Sequence, residues 1–170
     1  MTVKDLQTLY DYDNWANKKL FPVMSQLTPE QFTRNLGGSY GSIRNTFVHM
    51  VSAEWGWLGR CGGGRPRGPR LNPENFPTLE SVMETTRQVE GWVREFLSGL
   101  KDEDVSRMAE YPNDKGEKRA MPVGELMQHA ANHNVHHRGQ IALLLRLLGL
   151  TPGDFDILFY YAEKRGVPAF

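Results

Sequence analysis

Gln128-His129-Ala130-Ala131-Asn132-His133-Asn134-Val135-His136-His137-Arg138-Gly139-Gln140 holds four of the chain's five histidines. The stretch reads as helix and sits inside an amphipathic segment that starts near Pro122 and stops at Gly149, with Pro152 just beyond. Leu126, Ala130, Ile141, Leu144 and Leu148 recur at helical spacing and mark its core stripe. At about 100° per residue, His133 and His137 fall within roughly 40° of the stripe's centre, and His129 and His136 roughly 80–100° away. Polar rings on a core stripe need partners, because unsatisfied buried nitrogens cost free energy. Residues four apart share one face, so a single divalent ion can satisfy both inward imidazoles. Hydrogen bonds to side chains or backbone are the alternative.

Working outward from this helix, three more long helices are legible. Thr2 caps a first one, with Asp5 in its first turn, and Leu6, Leu9, Tyr10, Trp15, Leu20 and Met24 follow at near-helical spacing. Thr28-Pro29-Glu30-Gln31 starts a short helical turn that Gly37-Gly38-Ser39-Tyr40-Gly41 breaks. Ser42 caps a second long helix running to about Arg60. Residues 62–77 are rich in Gly and Pro and read as a loop. A third long helix starts near Thr78, where the apolar positions from Leu79 to Leu100 keep a 3.6-residue period. Residues 107–111 and 118–121 flank Pro112-Asn113-Asp114-Lys115-Gly116 and read as a hairpin or ordered loop. The aromatic tail from Asp154 to Tyr161 is expected to pack back onto the helices. The expected fold is therefore all-α, a single-domain four-helix bundle over residues 1–170 with a short hairpin before the last long helix.

Two histidines make a weak site, and the remaining one is His49 in the second long helix. The apolar stripe there is Ile43, Phe47, Val51 and Leu58, and His49 lies nearly opposite it, beside Ser42, Thr46, Ala53 and Gly56. If that side is solvent, His49 is a surface residue. If the helix is buried on both sides, the small residues let another helix approach. Periodicity leaves both readings open. Glu54 follows the apolar stripe, which suits a metal ligand, a group behind one, or a buried salt bridge.

Composition bounds the function. The 170 residues carry 20 basic and 20 acidic side chains, so no global field draws in nucleic acid or an anionic membrane. The one basic cluster, Arg60, Arg65, Arg67 and Arg70, lies in the Gly/Pro-rich stretch and reads as a solvated loop. The single cysteine, Cys61, excludes an intrachain disulfide. The chain opens directly into an amphipathic pattern without a signal peptide or membrane-spanning run, which predicts a cytoplasmic protein.

Several of these segments resemble the DinB-like (DinB/YfiT) superfamily of small bacterial proteins. The matching stretches are Tyr12-Asp13-Asn14-Trp15-Ala16-Asn17, then Ser42-Ile43-Arg44-Asn45-Thr46-Phe47-Val48-His49 with Glu54 and Trp57 following. The most specific is Asn132-His133-Asn134-Val135-His136-His137-Arg138-Gly139-Gln140, and Pro152-Gly153-Asp154-Phe155-Asp156-Ile157-Leu158 is similar to the family's ending. The resemblance implies an up-down-down-up bundle, a homodimer, and a metal site of His49, His133 and His137. The implied ion is zinc or nickel, with manganese or iron also suited to three histidines.

Related members are thiol-dependent enzymes, using bacillithiol or mycothiol. The expected function is therefore a transferase that activates a low-molecular-weight thiol toward an electrophilic substrate. Two alternatives are a metal-dependent hydrolase using metal-bound hydroxide, with Glu54 as base, and a non-catalytic metal-binding stress-response protein. Further candidates for catalysis are His136, as a proton relay, and Arg138, which with Gln140 can position the site or an anionic substrate. Tyr12, Trp15 and Trp57 are expected to pack rather than to bind ligand.

Overall fold

Helix starts follow their caps. The Thr2 hydroxyl accepts from the Asp5 N–H at 3.2 Å, and the Asp5 carboxylate accepts from the Thr2 N–H at 2.8 Å. This reciprocal pair satisfies two donors that a helix start otherwise leaves open. A computed structural model describes residues 1–62, 70–113 and 115–170. Helix α1 spans Val3–Met24, and a second capping box, Thr28 with Gln31, opens the short α2, Pro29–Thr33. Ser42 caps α3, Ile43–Arg60, and Thr78 caps α4, Leu79–Gly99. Helix α5 spans Val123–Leu147. Just beyond it Gly149 takes φ 80°, a left-handed conformation that ends a helix at little cost for glycine.

The chain is mostly helical, as expected, with a small sheet added. Strands β1, Met108–Pro112, and β2, Lys118–Pro122, pair antiparallel with Ala109 opposite Met121. The tail packs back as expected, and it does so as a further helix, α6, Ile157–Arg165. Tyr160 is buried against Tyr12 and Ala16, and the Tyr12 hydroxyl donates to the Phe155 carbonyl at 3.0 Å. Within the stretch read as a loop, Pro73–Asn75 forms a 3-10 turn. Residues 63–69 of that stretch, with Arg65 and Arg67, lie outside the described residues, as does Asp114 of the hairpin turn. Among the described residues, no helix is long and apolar enough to cross a membrane.

Helix α5 packs against α1 and α3, and α4 closes the other side of the same pair. Leu6, Leu20, Phe47, Leu126 and Ile141 are buried in the shared core. Each such side chain contributes about 1.5–3 kcal/mol by leaving water.

One seam of this core is polar. The Arg138 guanidinium donates to the Asp13 carboxylate at 2.6 Å, and both side chains are only 1% exposed. It also donates to the Asn17 side chain at 3.1 Å. The Asn134 amide donates to Asp13 and to Glu54, each at 3.0 Å. Asn134 and Arg138 each follow an inward histidine by one position. The seam therefore ties the rotation of α5 about its axis to α1 and α3, and thereby aims His133 and His137.

Candidate metal centre

His49 from α3 meets His133 and His137 from α5. The Nε2 atom of His133 lies 3.1 Å from the Nε2 of His49 and 3.1 Å from the Nε2 of His137. One candidate ligand atom from each ring falls within 4.8 Å of the others. The choice left open for His49 thus resolves toward the inward side: α3 packs there closely against α5.

The rings fit a cation better than they fit protons. An imidazole nitrogen either holds a proton or offers a lone pair. The Nε2 of His133 faces two other Nε2 atoms, and a single proton on it points well at only one of them. A divalent ion uses all three lone pairs. Ligand contacts of about 2.0–2.1 Å in a tetrahedral site put two nitrogens about 3.3 Å apart, close to the spacing seen here. Electrostatics agree. Burial, and then the neighbouring His133, His137 and Arg70, depress His49 to a pKa of about 4. Burial and the adjoining histidines hold His133 at about 4, and burial also lowers His137. Rings kept neutral keep their lone pairs available to a metal.

The outward nitrogens are held unequally. The Nδ1 of His137 lies 2.8 Å from the Gln140 side-chain oxygen, which orients that ring with its Nε2 inward. The Nδ1 of His133 is buried without a hydrogen-bond partner among the described residues. An Arg70 nitrogen lies 3.4 Å from the Nδ1 of His49. Tyr40, which sequence reasoning does not single out, stacks on His49 with ring centroids 4.0 Å apart. Its hydroxyl is 3.0 Å from the Nε2 of His49. A tyrosine in a glycine-rich break carries no periodic signal, and the turn before the Ser42 cap alone brings it here.

The other sequence candidates take different places. His136 is exposed on the flank and meets the Gln140 amide nitrogen at 3.0 Å. Arg138 is buried on Asp13, closed to an incoming substrate and not paired at the surface. Glu54 is 3% exposed, and among the described residues it forms no salt bridge, the buried cation Arg138 pairing with Asp13. Burial, and then Asp13, push the Glu54 carboxyl up to about 8. His129 packs edge-on against Trp57 with centroids 4.9 Å apart. Cys61 is fully buried at the end of α3, and burial pushes its thiol up to about 12.

A cavity of about 380 Å³ adjoins the histidines. His49 and His133 line it, together with Trp55, Trp57, Arg60, Arg70, His129 and small residues of α3. Trp57 therefore packs and also faces open space.

Fold and site define a mostly helical protein with a three-histidine group able to hold a divalent ion. The DinB family model matches residues 1–166, and the chain belongs to the DinB family. Protein DinB of Bacillus subtilis (strain 168) is 23% identical over 161 residues, covering 91% of this chain and 94% of that protein. Uncharacterized protein YizA of the same organism is 22% identical over 147 residues, covering 86% and 90%. The crystal structure of a DinB-like protein from Bacillus cereus ATCC 10987 superposes with TM-score 0.73 at 22% identity, covering 90% of this chain and 97% of that one. A second DinB-like structure, YjoA from Bacillus subtilis, gives TM-score 0.55 at 16% identity, covering 86% and 90%.

Proposed function

We propose that this protein is a metal-dependent transferase that activates a low-molecular-weight thiol of the bacillithiol or mycothiol type toward an electrophile. The observation that carries this reading is the convergence of three imidazoles, two of which, His49 and His133, line a cavity. His49, His133 and His137 would hold a divalent ion, zinc or nickel by preference, and such an ion would supply the positive charge that favours a thiolate at neutral pH. The chain's own residues do the rest. Gln140 fixes the His137 ring. Trp57 and His129 pack edge-on against each other in the cavity wall. Cys61 offers no competing nucleophile, because its thiol is buried and held protonated. Glu54 is a poor base for the hydrolytic alternative, since it is buried on Asn134 and keeps its proton near neutral pH.

Elemental analysis tests the site. One divalent ion per chain is expected in the wild type and none in His49→Ala or His133→Ala. A wild type that arrives metal-free and resists reloading removes the proposal. With cobalt in place, an added thiol is expected to change the visible spectrum, and an unchanged spectrum removes the thiol step.

We further propose the up-down-down-up arrangement. Its support is that α1 and α5 meet in rising order, Tyr10 with Met127 and Asp13 with Arg138. α3 and α5 meet in falling order, Trp57 with His129 and His49 with His137. A cytoplasmic homodimer is proposed as well. Val135, Leu143 and Leu147 are exposed at spacings of eight and four along α5, with open space above Gly139 between them. Light scattering is expected to give twice the chain mass, falling to one in Leu143→Glu. A wild-type monomer at micromolar concentration ends this idea.

A further inference from the structure

Tyr40 reaches the three-histidine group from a turn that is tied down on both sides. The Asn35 side chain accepts from the Gly37 N–H at 2.9 Å, and the Leu36 N–H donates to the Gly41 carbonyl at 2.7 Å. The Tyr40 carbonyl accepts from the Asn45 amide at 3.1 Å. Asn45 is held in turn by Arg44, whose Nε donates to its oxygen at 3.1 Å and whose guanidinium pairs with Glu74. Asn45 and His49 stand four positions apart on α3 and share a face, so these bonds fix the turn over His49.

The Tyr40 ring touches two of the three imidazoles. Its plane is 19° from that of His49, and it meets His137 edge-on with centroids 5.5 Å apart. Its hydroxyl is 3.0 Å from the Nε2 of His49, as near as the Nε2 of His133 at 3.1 Å. Because the two rings are nearly parallel, the hydroxyl lies beside the face of the imidazole, whereas the Nε2 lone pair points along the ring plane. The hydroxyl therefore stands at the inward nitrogen without blocking the direction in which His49 would bind an ion. Among the described residues it has no other hydrogen-bond partner. An ion that takes this lone pair also takes the hydroxyl's acceptor, and a polar group deprived of its partner costs free energy.

From this geometry we infer that Tyr40 is a further residue of the metal centre: its hydroxyl donates a hydrogen bond to the ligand atom that enters beside the three histidines, and so favours ligands whose metal-binding atom keeps a free lone pair. The inference rests on the reading of the histidines as a metal site and not on the thiol. Three protein ligands leave a divalent ion a further position for water or substrate. An O–H already fixed beside that position needs no rearrangement to meet charge collected there, and hydrogen bonds to charged acceptors are about twice as strong as neutral ones. An oxygen, a thiolate sulfur or an azide nitrogen can accept such a bond while bound to a metal. Imidazole cannot, because its binding nitrogen has one lone pair and spends it on the ion.

The test compares azide with imidazole on cobalt-loaded protein, followed by the visible spectrum. The variant is Tyr40→Phe, which keeps a ring on His49 and removes only the hydroxyl. It is expected to retain one cobalt per chain and the wild-type circular dichroism. Azide is expected to bind about tenfold more weakly to the variant than to the wild type, the loss of one hydrogen bond to a charged acceptor. Imidazole is expected to bind both proteins alike. Azide affinity that survives the substitution overturns the inference. So does an equal loss for azide and imidazole, which would mean that Tyr40 only shapes the His49 ring. A spectrum that neither probe changes also overturns it, because no ligand then enters beside the hydroxyl. The two readings fail separately. A wild type that takes up no cobalt removes the metal site and the role of Tyr40 together. A loaded wild type whose azide affinity equals that of Tyr40→Phe removes the role of Tyr40 alone.

Discussion

Removing the Asp13 carboxylate is expected to cost more stability than any other single change at the polar seam. Asp13 and Arg138 are each 1% exposed and 2.6 Å apart, so solvent screens them little. Truncating one partner of such a pair leaves an uncompensated charge and costs about 3–5 kcal/mol. Asn134 loses one of its two carboxylate acceptors as well, which adds about 1 kcal/mol. Domains have roughly 5–15 kcal/mol in total, so Asp13→Ala is expected to sit near the edge of folding. In urea, with a slope of about 2 kcal/mol per molar, the midpoint is expected to fall by about 2–3 M. Asp13→Asn keeps a side-chain oxygen for Arg138 and is expected to fall about half as far. Lys19→Ala, which breaks the exposed pair with Glu163, is the control and is expected to change stability by less than about 1 kcal/mol. Metal affinity is expected to drop with Asp13→Ala under conditions where the variant is still folded, because Asn134 and Arg138 aim the adjacent histidines. A midpoint shift no larger than that of the Lys19 control would refute the reasoning that this seam sets the α5 rotation.

Three further outcomes follow from the same geometry. Glu54 keeps its proton in the fold to about pH 8 but releases it near 4.5 when unfolded. Between those values the folded state holds the extra proton, so stability falls as pH rises, by at most roughly 1.4 kcal/mol per unit. Glu54→Gln cannot ionise, so its stability relative to the wild type is expected to climb across that window, and a flat difference would show that Glu54 is already ionised in the fold. Gln140→Leu removes the acceptor at the outer nitrogen of His137 and is expected to weaken metal binding about 10–100-fold in a chelator competition, with little change in melting. A Cβ on Gly124 would lie 2.4 Å from Val105 Cγ1 and 3.2 Å from the Val105 carbonyl. Gly124→Ala is therefore expected to lose about 1–3 kcal/mol by calorimetry, and an unchanged melting temperature would mean that the Val105 turn gives way freely.

Local chemistry made much of this protein legible from its sequence. Thr2, Thr28, Ser42 and Thr78 start helices in the structure, because a cap is a bond between residues three apart and needs no tertiary partner. The inward placement of His133 and His137 follows from a single helix's periodicity for the same reason. Resemblance, rather than spacing, added His49. Its side of α3 carries small residues, and whether water or another helix lies there depends on the packing of α5 against it. Tyr40 and Arg70 were not legible as site residues, since each arrives from a loop whose course is set by bonds to distant positions. Arg138 reads as exposed or functional when taken alone, and only Asp13, 125 residues earlier, makes it a buried structural cation. Sequence determined which residues could share a helix face. The tertiary structure decided which faces meet, because burial and charge pairing are properties of surfaces brought together from separate parts of the chain.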